Sequence, residues 1–382
     1  MRQVIVAIPH QAEVTAVLQS LGIAVTQRDT SAELGLALIE LGEGNRASRQ
    51  LMRRLYAYFE AKYEGWVPTM GRNRLVSSVT GAGEISFGGA GWPQPSSPPE
   101  HWPPEHGPPQ PTDGYQPKVG VLDTGVDLTA LDPWLEESEG LRETGGEPWT
   151  VLDGHATFVT GLVVQRAPRV RVRVRKVLTD RPDDATPRRG KPDGSADSWT
   201  VAKAIALFGA EDFDVLNLSF TCRTRDGRPP LALATAVARV IPRTVVVAAA
   251  GNHGPGRWPA WPAALDGVVA VGAVDSHDRD SRFTPSRVPW IDICAAGVDV
   301  PSTYLTGAVR VPVDARSAQG AATFETVPFE GFATWSGTSF AAATVTGAIA
   351  ARVDPNTSAQ VAYTQVLEAA KRRPDGPPVL TV

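Results

Sequence analysis

The first 88 residues alternate between strand-like and helix-like patterns of hydrophobic positions. Period-two runs predict strands, and apolar positions three or four residues apart predict helices. These patterns predict strands over residues 4–8, 23–27, 34–41 and 75–79, and helices over residues 13–21 and 48–63. The order strand, helix, strand, strand, helix, strand is that of the split βαβ or ferredoxin-like fold. We therefore expect a small α+β ferredoxin-like N-terminal domain over residues 1–88.

A different pattern begins at Lys118, where short apolar runs alternate with helical segments. The runs predict strands over residues 119–122, 170–178, 215–219, 244–249 and 268–274, and helices over residues 155–165, 198–210, 231–240 and 338–352. Such alternation favours a doubly wound, mostly parallel sheet flanked by helices on both faces. We assign residues 118–382 to one α/β domain of this class.

The segment between these two parts is rich in proline, with Pro-Pro pairs at residues 98–99, 103–104 and 108–109. Proline lacks a backbone N–H, so it is excluded from helix interiors and from central strands. We therefore expect residues 89–117 to form an extended, semi-rigid linker.

The composition of the 382-residue chain is that of a folded globular protein, with 42% hydrophobic and 20% charged residues. The formal net charge of −4 provides no basic field, so no nucleic-acid partner is expected. No apolar stretch is long enough to cross a membrane. The apolar run at residues 4–8 ends at Pro9, unlike a signal peptide. We therefore expect no membrane association and a cytoplasmic location.

The sequence predicts neither a metal site nor a cofactor. Several aspartates lie between residues 180 and 197, but their spacing matches no calcium-binding loop, so a solvated loop is expected there. Two cysteines, Cys222 and Cys294, are too few for a disulfide framework. We expect two reduced, buried thiols, with a single bridge as the alternative.

Polar residues with catalytic potential stand at the ends of predicted strands or the starts of predicted helices. Asp123 and Asn252 each follow a strand, while His155 and Ser339 open helices. Active residues of parallel sheets lie at the carboxyl ends of the strands, so these side chains are expected at one edge of the sheet.

The four residue types fit nucleophilic catalysis by a serine. A serine hydroxyl needs a base within hydrogen-bond reach, and that base needs an orienting carboxylate. His155 would take the proton of Ser339, Asp123 would orient the imidazole, and Asn252 would donate to the oxyanion together with the Ser339 N–H. Each residue alone has a structural explanation, as a turn, a packed imidazole, a loop amide or a helix cap. Their shared placement favours a catalytic site.

Residues 118–352 resemble the subtilisin-like serine proteases, the subtilases. The order Asp, His, Ser is that of subtilisin. The segments that carry the resemblance are VGVLDTGV at 119–126, GHATFVTG at 154–161, VLNLS at 215–219, VAAAGN at 247–252 and SGTSFA at 336–341. The resemblance implies a doubly wound fold and hydrolysis of peptide bonds. By motif it implies a triad of Asp123, His155 and Ser339, with Asn252 as the oxyanion residue.

The resemblance also implies that residues 219–221 align the substrate backbone as an added strand. The predicted substrate-binding residues are Ser219, Phe220, Thr221, Ala249, Ala250 and Gly251. Where the family has small glycines after the substrate-binding serine and leucine, this chain has Thr221 and Cys222, so a family substrate preference is not expected to carry over. Other departures from the family pattern are Ala156 for glycine, Phe158 for histidine and Ala343 for proline. Residues 258–262, with two tryptophans, either wall the specificity pocket or pack within their own loop.

The N-terminal domain resembles the propeptides of this family in the order of its elements and in its position. The resemblance implies a folding chaperone and intramolecular inhibitor whose C-terminal strand fills the substrate cleft, with cleavage expected near residues 87–92. The alternative is a permanent partner-binding domain.

The function predicted for the whole chain is that of a serine endopeptidase acting on protein or peptide substrates. Restraint as a zymogen or by narrow specificity is expected, with a regulatory partner protein as a further possibility. One alternative is a catalytically idle scaffold that binds peptides or a partner. Another is an acyl hydrolase or transferase that uses the same triad on a non-peptide substrate.

Overall fold

The protein is described by a computed structural model. The described residues are 2–78, 91–100, 102, 114–141, 148–179, 195–224, 226–256, 258–286, 288–312 and 324–381.

The N-terminal part folds as the sequence pattern predicts. Its elements are β1 (Gln3–Ala7), α1 (Gln11–Ser20), β2 (Val25–Ser31), β3 (Leu36–Leu41), α2 (Arg49–Lys62) and β4 (Met70–Arg72). The strands form an antiparallel sheet in the order β2-β3-β1-β4, which confirms the ferredoxin-like arrangement. Val4 and Val6 of β1 pack on α1 and α2, while Ile5 points to the opposite face, as the two-residue period of a strand requires.

The strand predicted at residues 75–79 does not close this sheet. β4 takes the last position, and β5 (Leu75–Ser78) joins a different sheet in the α/β part of the chain. Val76 of β5 is fully buried in the hydrophobic core of that part. The apolar pattern identified the strand correctly but carried no information about its partner, which lies more than a hundred residues away in the sequence.

The remaining elements belong to the α/β part of the chain. The first half comprises β6 (Gln94–Pro95), β7 (Lys118–Asp123), α3 (Leu128–Leu131), β8 (Trp149–Thr150), α4 (His155–Arg166), β9 (Arg171–Lys176), β10 (Ser195–Asp197), α5 (Ser198–Gly209), β11 (Val215–Leu218), β12 (Phe220–Arg223) and α6 (Leu231–Val240). The second half comprises β13 (Val245–Ala249), β14 (Ala260–Trp261), β15 (Val268–Val274), β16 (Ile293–Ala296), β17 (Val300–Pro312), β18 (Phe324–Trp335), α7 (Thr338–Ala350), α8 (Ala359–Ala369), β19 (Lys371–Arg373) and β20 (Gly376–Val379).

An eight-stranded sheet in the order β19-β20-β16-β15-β13-β11-β7-β9 forms the centre of the α/β part. All neighbouring pairs are parallel except the edge pair β19–β20. Along β13, Val245 and Val247 pack on the side of α4 and α7, whereas Val246 and Ala248 pack on the side of α5 and α6. Helices therefore cover both faces, which confirms the predicted doubly wound class.

A smaller sheet in the order β6-β18-β17-β8 lies beside α4. Its long hairpin, β17 and β18, was not predicted. The described part of the proline-rich segment packs on this hairpin, because β6 pairs with β18 and Trp102 makes an edge contact with Phe332 at 5.6 Å between ring centroids.

Three sequence-based expectations can be compared with the described residues. Cys222 and Cys294 are separate, buried thiols. Every helix in the described part is too short or too polar to cross a lipid bilayer. The described side chains contain no cluster of three or more His, Cys, Asp or Glu residues arranged to hold a metal ion, and residues 180–194 lie outside the described part.

Candidate active site

Asp123 and His155 meet at the carboxyl edge of the central sheet. Asp123 is the last residue of β7, and His155 is the first of α4. The His155 Nδ1 lies 2.6 Å from Asp123 Oδ1, and both side chains are fully buried. The backbone N–H of Thr124 donates to the same carboxylate oxygen at 2.7 Å. Since a carboxylate only accepts, the imidazole carries its proton on Nδ1, which leaves a lone pair on Nε2.

The imidazole is held by aromatic rings as well as by Asp123. Trp335 makes an edge contact with the His155 ring at 5.7 Å between centroids, and Phe340 lies at the same distance with a 45° tilt. Phe158, which stands where the family has a histidine, packs on Phe340 at 4.4 Å. The buried Nε2 has no hydrogen-bond partner within the described structure. The ring is therefore fixed in place with its basic nitrogen unpaired.

Ser339 lies at the start of the helix α7, beside this imidazole. It is the second residue of α7 and is 1% exposed. Its Oγ donates to the backbone oxygen of Ser219 at 3.3 Å, so the bond to His155 Nε2 is not formed in this rotamer. The first N–H groups of a helix lack intrahelical acceptors and lie at the positive end of its dipole. The hydroxyl therefore lies where negative charge is stabilised.

Asn252 is anchored against the same helix. Its Oδ1 accepts hydrogen bonds from the backbone N–H and the hydroxyl of Thr338, both at 3.0 Å. The Thr338 hydroxyl also accepts from the N–H of Gly251 at 3.0 Å. A Cβ added to Gly337 would lie 3.3 Å from Asn252 Nδ2. With Oδ1 held by Thr338, Nδ2 lies beside Gly337, two residues before Ser339.

The predicted substrate-binding strand borders an occupied groove. In the sheet β10-β5-β12-β14, β5 lies between β10 and β12 and is antiparallel to both. Ser78 pairs with Phe220 and Ser77 with Thr221. Phe220 and Thr221 therefore align an extended segment, and in this structure that segment is β5 of the same chain.

The end of β13 lies next to β12 and borders the same groove. Ala249 and Ala250 are fully buried with their side chains in the hydrophobic core, so they offer only their backbone to the groove. Gly251 has a φ of +101°, a conformation in which a side chain would be strained.

The neighbouring tryptophans have different surroundings. Trp261 is 7% exposed, belongs to the core beside α5 and α6, and donates its Nε1 to Thr224 Oγ1 at 3.1 Å. Trp258 is 55% exposed. The side chain of Trp261 therefore packs in the core behind the groove.

Comparison with known proteins agrees with the geometry. A model of the subtilase family matches residues 114–376. The chain belongs to the subtilase family. A thermophilic serine proteinase of Bacillus sp. (strain AK1) is 32% identical over 202 residues, which are 50% of this chain and 46% of that protein. Subtilisin DY of Bacillus licheniformis is 32% identical over 204 residues, which are 50% of this chain and 68% of that protein.

A solved structure shares the subtilase fold of this chain. The crystal structure of a lanthipeptide protease superposes with a TM-score of 0.52 and 23% sequence identity, covering 69% of this chain and 83% of that one. At this level of identity the likeness supports the fold. The first relative extends well beyond the matched segment, since less than half of its length is covered.

Some residues of this subtilase site were missed by the sequence analysis. β10 (Ser195–Asp197), the second wall of the groove, is too short to produce a detectable pattern. The signal that could have located it is the helix cap, because Asp197 accepts from the Thr200 N–H at the start of α5. Trp335 and Phe340 flank the quoted Ser-Gly-Thr-Ser motif, but their contact with His155 depends on the tertiary fold.

Proposed function

We propose that this subtilase is a serine endopeptidase with Ser339 as its nucleophile. The observation that carries the proposal is the 2.6 Å bond between Asp123 and His155, together with the unpaired Nε2 beside a helix N-terminus that holds Ser339. Asp123 would keep the imidazole in the tautomer that accepts a proton and would stabilise the imidazolium that forms. In this proposal the Ser339 hydroxyl leaves the Ser219 oxygen and bonds to His155 Nε2 when substrate is bound.

The residues support a two-step mechanism. Ser339 Oγ attacks the peptide carbonyl carbon as its proton passes to His155 Nε2. The oxyanion is stabilised by Asn252 Nδ2 and the Ser339 N–H. The imidazolium then protonates the leaving amine, which gives an acyl ester on Ser339. Water, deprotonated by His155, attacks the ester and releases the carboxylic acid and the free serine.

The same chain supplies an intramolecular inhibitor in this proposal. β5 fills the place between β10 and β12 that an extended substrate would need. On the other side of the site, the Trp335 Nε1 donates to the Gly91 oxygen at 3.1 Å. Segments before and after residues 79–90 therefore lie on both sides of the His155 and Ser339 pair. This favours the inhibitor interpretation of residues 1–88 over the permanent partner-binding domain.

The N-terminal domain is docked by apolar and polar contacts. Its sheet face, with Ile5, Leu36 and Leu38, joins the core formed by α5 and α6. Arg74 pairs with Asp226 at 2.7 Å. Further bonds run from Trp199 and Lys203 to Asp29 at 3.0 and 2.8 Å, and they hold the pKa of this carboxyl below its usual range. In this proposal the docked state is the low-activity state.

The expected cleavage region lies mostly outside the described residues. Residues 79–90 are not described, and the region predicted from the resemblance, 87–92, overlaps them. We propose cleavage between Ser78 and Trp92, to be located by N-terminal sequencing of the processed protein.

Digestion of unfolded casein by the full chain tests the proposal. A Ser77→Pro variant removes one backbone donor of β5 and places a ring in the middle of a three-stranded pairing, so it should release the strand. Ser77→Ala keeps the backbone and is the matched control. We expect slow digestion by wild type and Ser77→Ala, faster digestion by Ser77→Pro, and none by Ser77→Pro/Ser339→Ala.

Two results would count against parts of this account. Digestion of casein by a Ser339→Ala variant would contradict the assignment of Ser339 as the nucleophile. Immediate, unrestrained digestion by the wild type would contradict the inhibitory role of the N-terminal domain.

A further inference from the structure

The register of β5 on β12 locates the side chain that would precede a scissile bond. Ser77 lies opposite Thr221 and Ser78 opposite Phe220, so the next position of a bound strand comes opposite Ser219. The Ser219 oxygen is the atom that holds Ser339 Oγ at 3.3 Å. A residue bound opposite Ser219 therefore presents its carbonyl to the nucleophile.

The pleat of the strand decides where that side chain points. Residues directly opposite each other in an antiparallel pair project to the same face, and residues two apart along a strand share a face. Ser219 and Thr221 are two apart. The side chain before the scissile bond is therefore directed to the face that carries the Thr221 side chain.

This face is closed by two side chains. The Thr221 Oγ1 lies 3.4 Å from His253 Nε2. This contact joins β12 to the loop that follows β13. A Cβ placed on Gly251 would lie 3.5 Å from the Thr221 methyl group and 3.1 Å from His253 Cδ2. Thr221 is 3% exposed. The two walls of the groove are thus within van der Waals contact at the point where a large side chain would enter.

Cys222 does not contribute to this closure. It pairs with Trp261 on the far side of β12 and belongs to the core beside α5 and α6. Burial raises the pKa of its thiol to about 11. The restriction therefore comes from Thr221 and His253, the two side chains that meet across the groove.

We propose that Thr221 and His253 limit the residue before the scissile bond to a small side chain, so that the protein cleaves after Gly, Ala or Ser. The inference rests on the proposed endopeptidase activity and names its substrate class.

A peptide panel with one variable position tests the substrate class. The peptides share one sequence and differ only in the residue before the scissile bond, which is Gly, Ala, Ser, Leu or Phe. The full-length protein and its Ser77→Pro variant are assayed, with active sites counted by a fluorophosphonate. We expect kcat/KM for the Ala peptide to exceed that for the Phe and Leu peptides by about 10- to 100-fold, the range in which misfit of a few carbon atoms discriminates substrates.

Substitutions at Thr221 separate side-chain size from hydrogen bonding. Thr221→Gly removes the methyl and hydroxyl groups. It should lower the ratio of kcat/KM for the Ala peptide to kcat/KM for the Phe peptide by about tenfold. Thr221→Val keeps the branched volume but loses the bond to His253, and it should keep the preference for small residues. His253→Ala removes the imidazole that faces Thr221 and should also lower the ratio of kcat/KM between the Ala and Phe peptides.

Each outcome bears on one proposal. If the wild type is labelled and cleaves the Phe or Leu peptide as well as the Ala peptide, the size limit is wrong while the endopeptidase proposal stands. If Ser339 is labelled but the small-residue peptides are not cleaved, the size limit is also wrong. If neither protein is labelled and no peptide is cleaved, the endopeptidase proposal fails instead.

Discussion

Replacing Asn73 by alanine should loosen the N-terminal domain and open the cleft. Asn73 is 3% exposed and joins that domain to the start of α5. Its Oδ1 accepts from the Ser198 hydroxyl at 2.9 Å and from the Trp199 N–H at 3.1 Å. Its Nδ2 donates to Asp197 at 3.1 Å and to Gln3 at 2.8 Å. One amide thus makes three hydrogen bonds across the domain boundary.

The expected loss follows from these bonds. Alanine at residue 73 would leave the buried Trp199 N–H without its acceptor and would remove the bond to Asp197. A buried donor that loses its partner costs about 1–3 kcal/mol, so we expect docking to weaken by about 2–3 kcal/mol. At 1.4 kcal/mol for each factor of ten, the open fraction should rise by about 30- to 150-fold.

The assay is the rate at which a fluorophosphonate labels Ser339 in the full-length chain, because that rate follows the open fraction of the cleft. Asn45→Ala is the matched control, since the side-chain amide of this asparagine donates to the Glu43 oxygen within its own loop at 3.4 Å. We expect faster labelling of Asn73→Ala and no change for Asn45→Ala. Equal labelling of all three proteins, with unchanged circular dichroism, would refute this reasoning.

Three further predictions concern the catalytic domain. Asn252→Ala should lower kcat on a peptide substrate by roughly 10²–10³ by removing one oxyanion donor, and a normal kcat would exclude that role. Gly154→Ala should lower the stability by about 1–3 kcal/mol, because its Cβ would overlap the buried Tyr304 ring; an unchanged Tm would contradict this packing. Cys222 and Cys294, whose pKa values burial raises to about 11, should resist iodoacetamide at pH 8 until the protein is denatured. Alkylation of the native protein would show that these thiols are accessible.

The central sheet could be predicted because its strands are buried on both faces. Such strands have nearly continuous apolar sequences, so residues 268–274 were assigned with the bounds that the structure shows. The hairpin β17–β18 lacks this signal. It carries Pro301, Pro312 and Pro328 and mixes exposed with buried positions, and proline lowers the strand signal of a sequence.

The partners of a strand are harder to predict than the strand itself. The strand-like sequence of residues 75–78 is compatible both with the N-terminal sheet and with the groove between β10 and β12. The choice depends on contacts such as Arg74 with Ser198, in which the Arg74 N–H donates to Ser198 Oγ at 3.1 Å. Contacts between residues so far apart in sequence leave no local pattern.

The candidate site was predictable because its residues lie in short motifs at strand ends and helix starts. The structure joins Asp123 to His155 and Asn252 to Thr338, the residue before Ser339. The closure of the groove by His253 was not predicted, because it depends on the distance between β12 and the loop after β13. The spacing of motifs along the sequence does not give the distance in space between these two segments.

The most direct test of the central claim is the intact mass of the full-length protein and its Ser339→Ala variant after treatment with a fluorophosphonate. We expect one adduct on the wild type and none on the variant. We also expect a fraction of wild-type chains shortened between Ser78 and Trp92, with the variant remaining whole. An equal adduct on both proteins, or no adduct on the wild type even when Ser77→Pro releases β5, would contradict an activated Ser339.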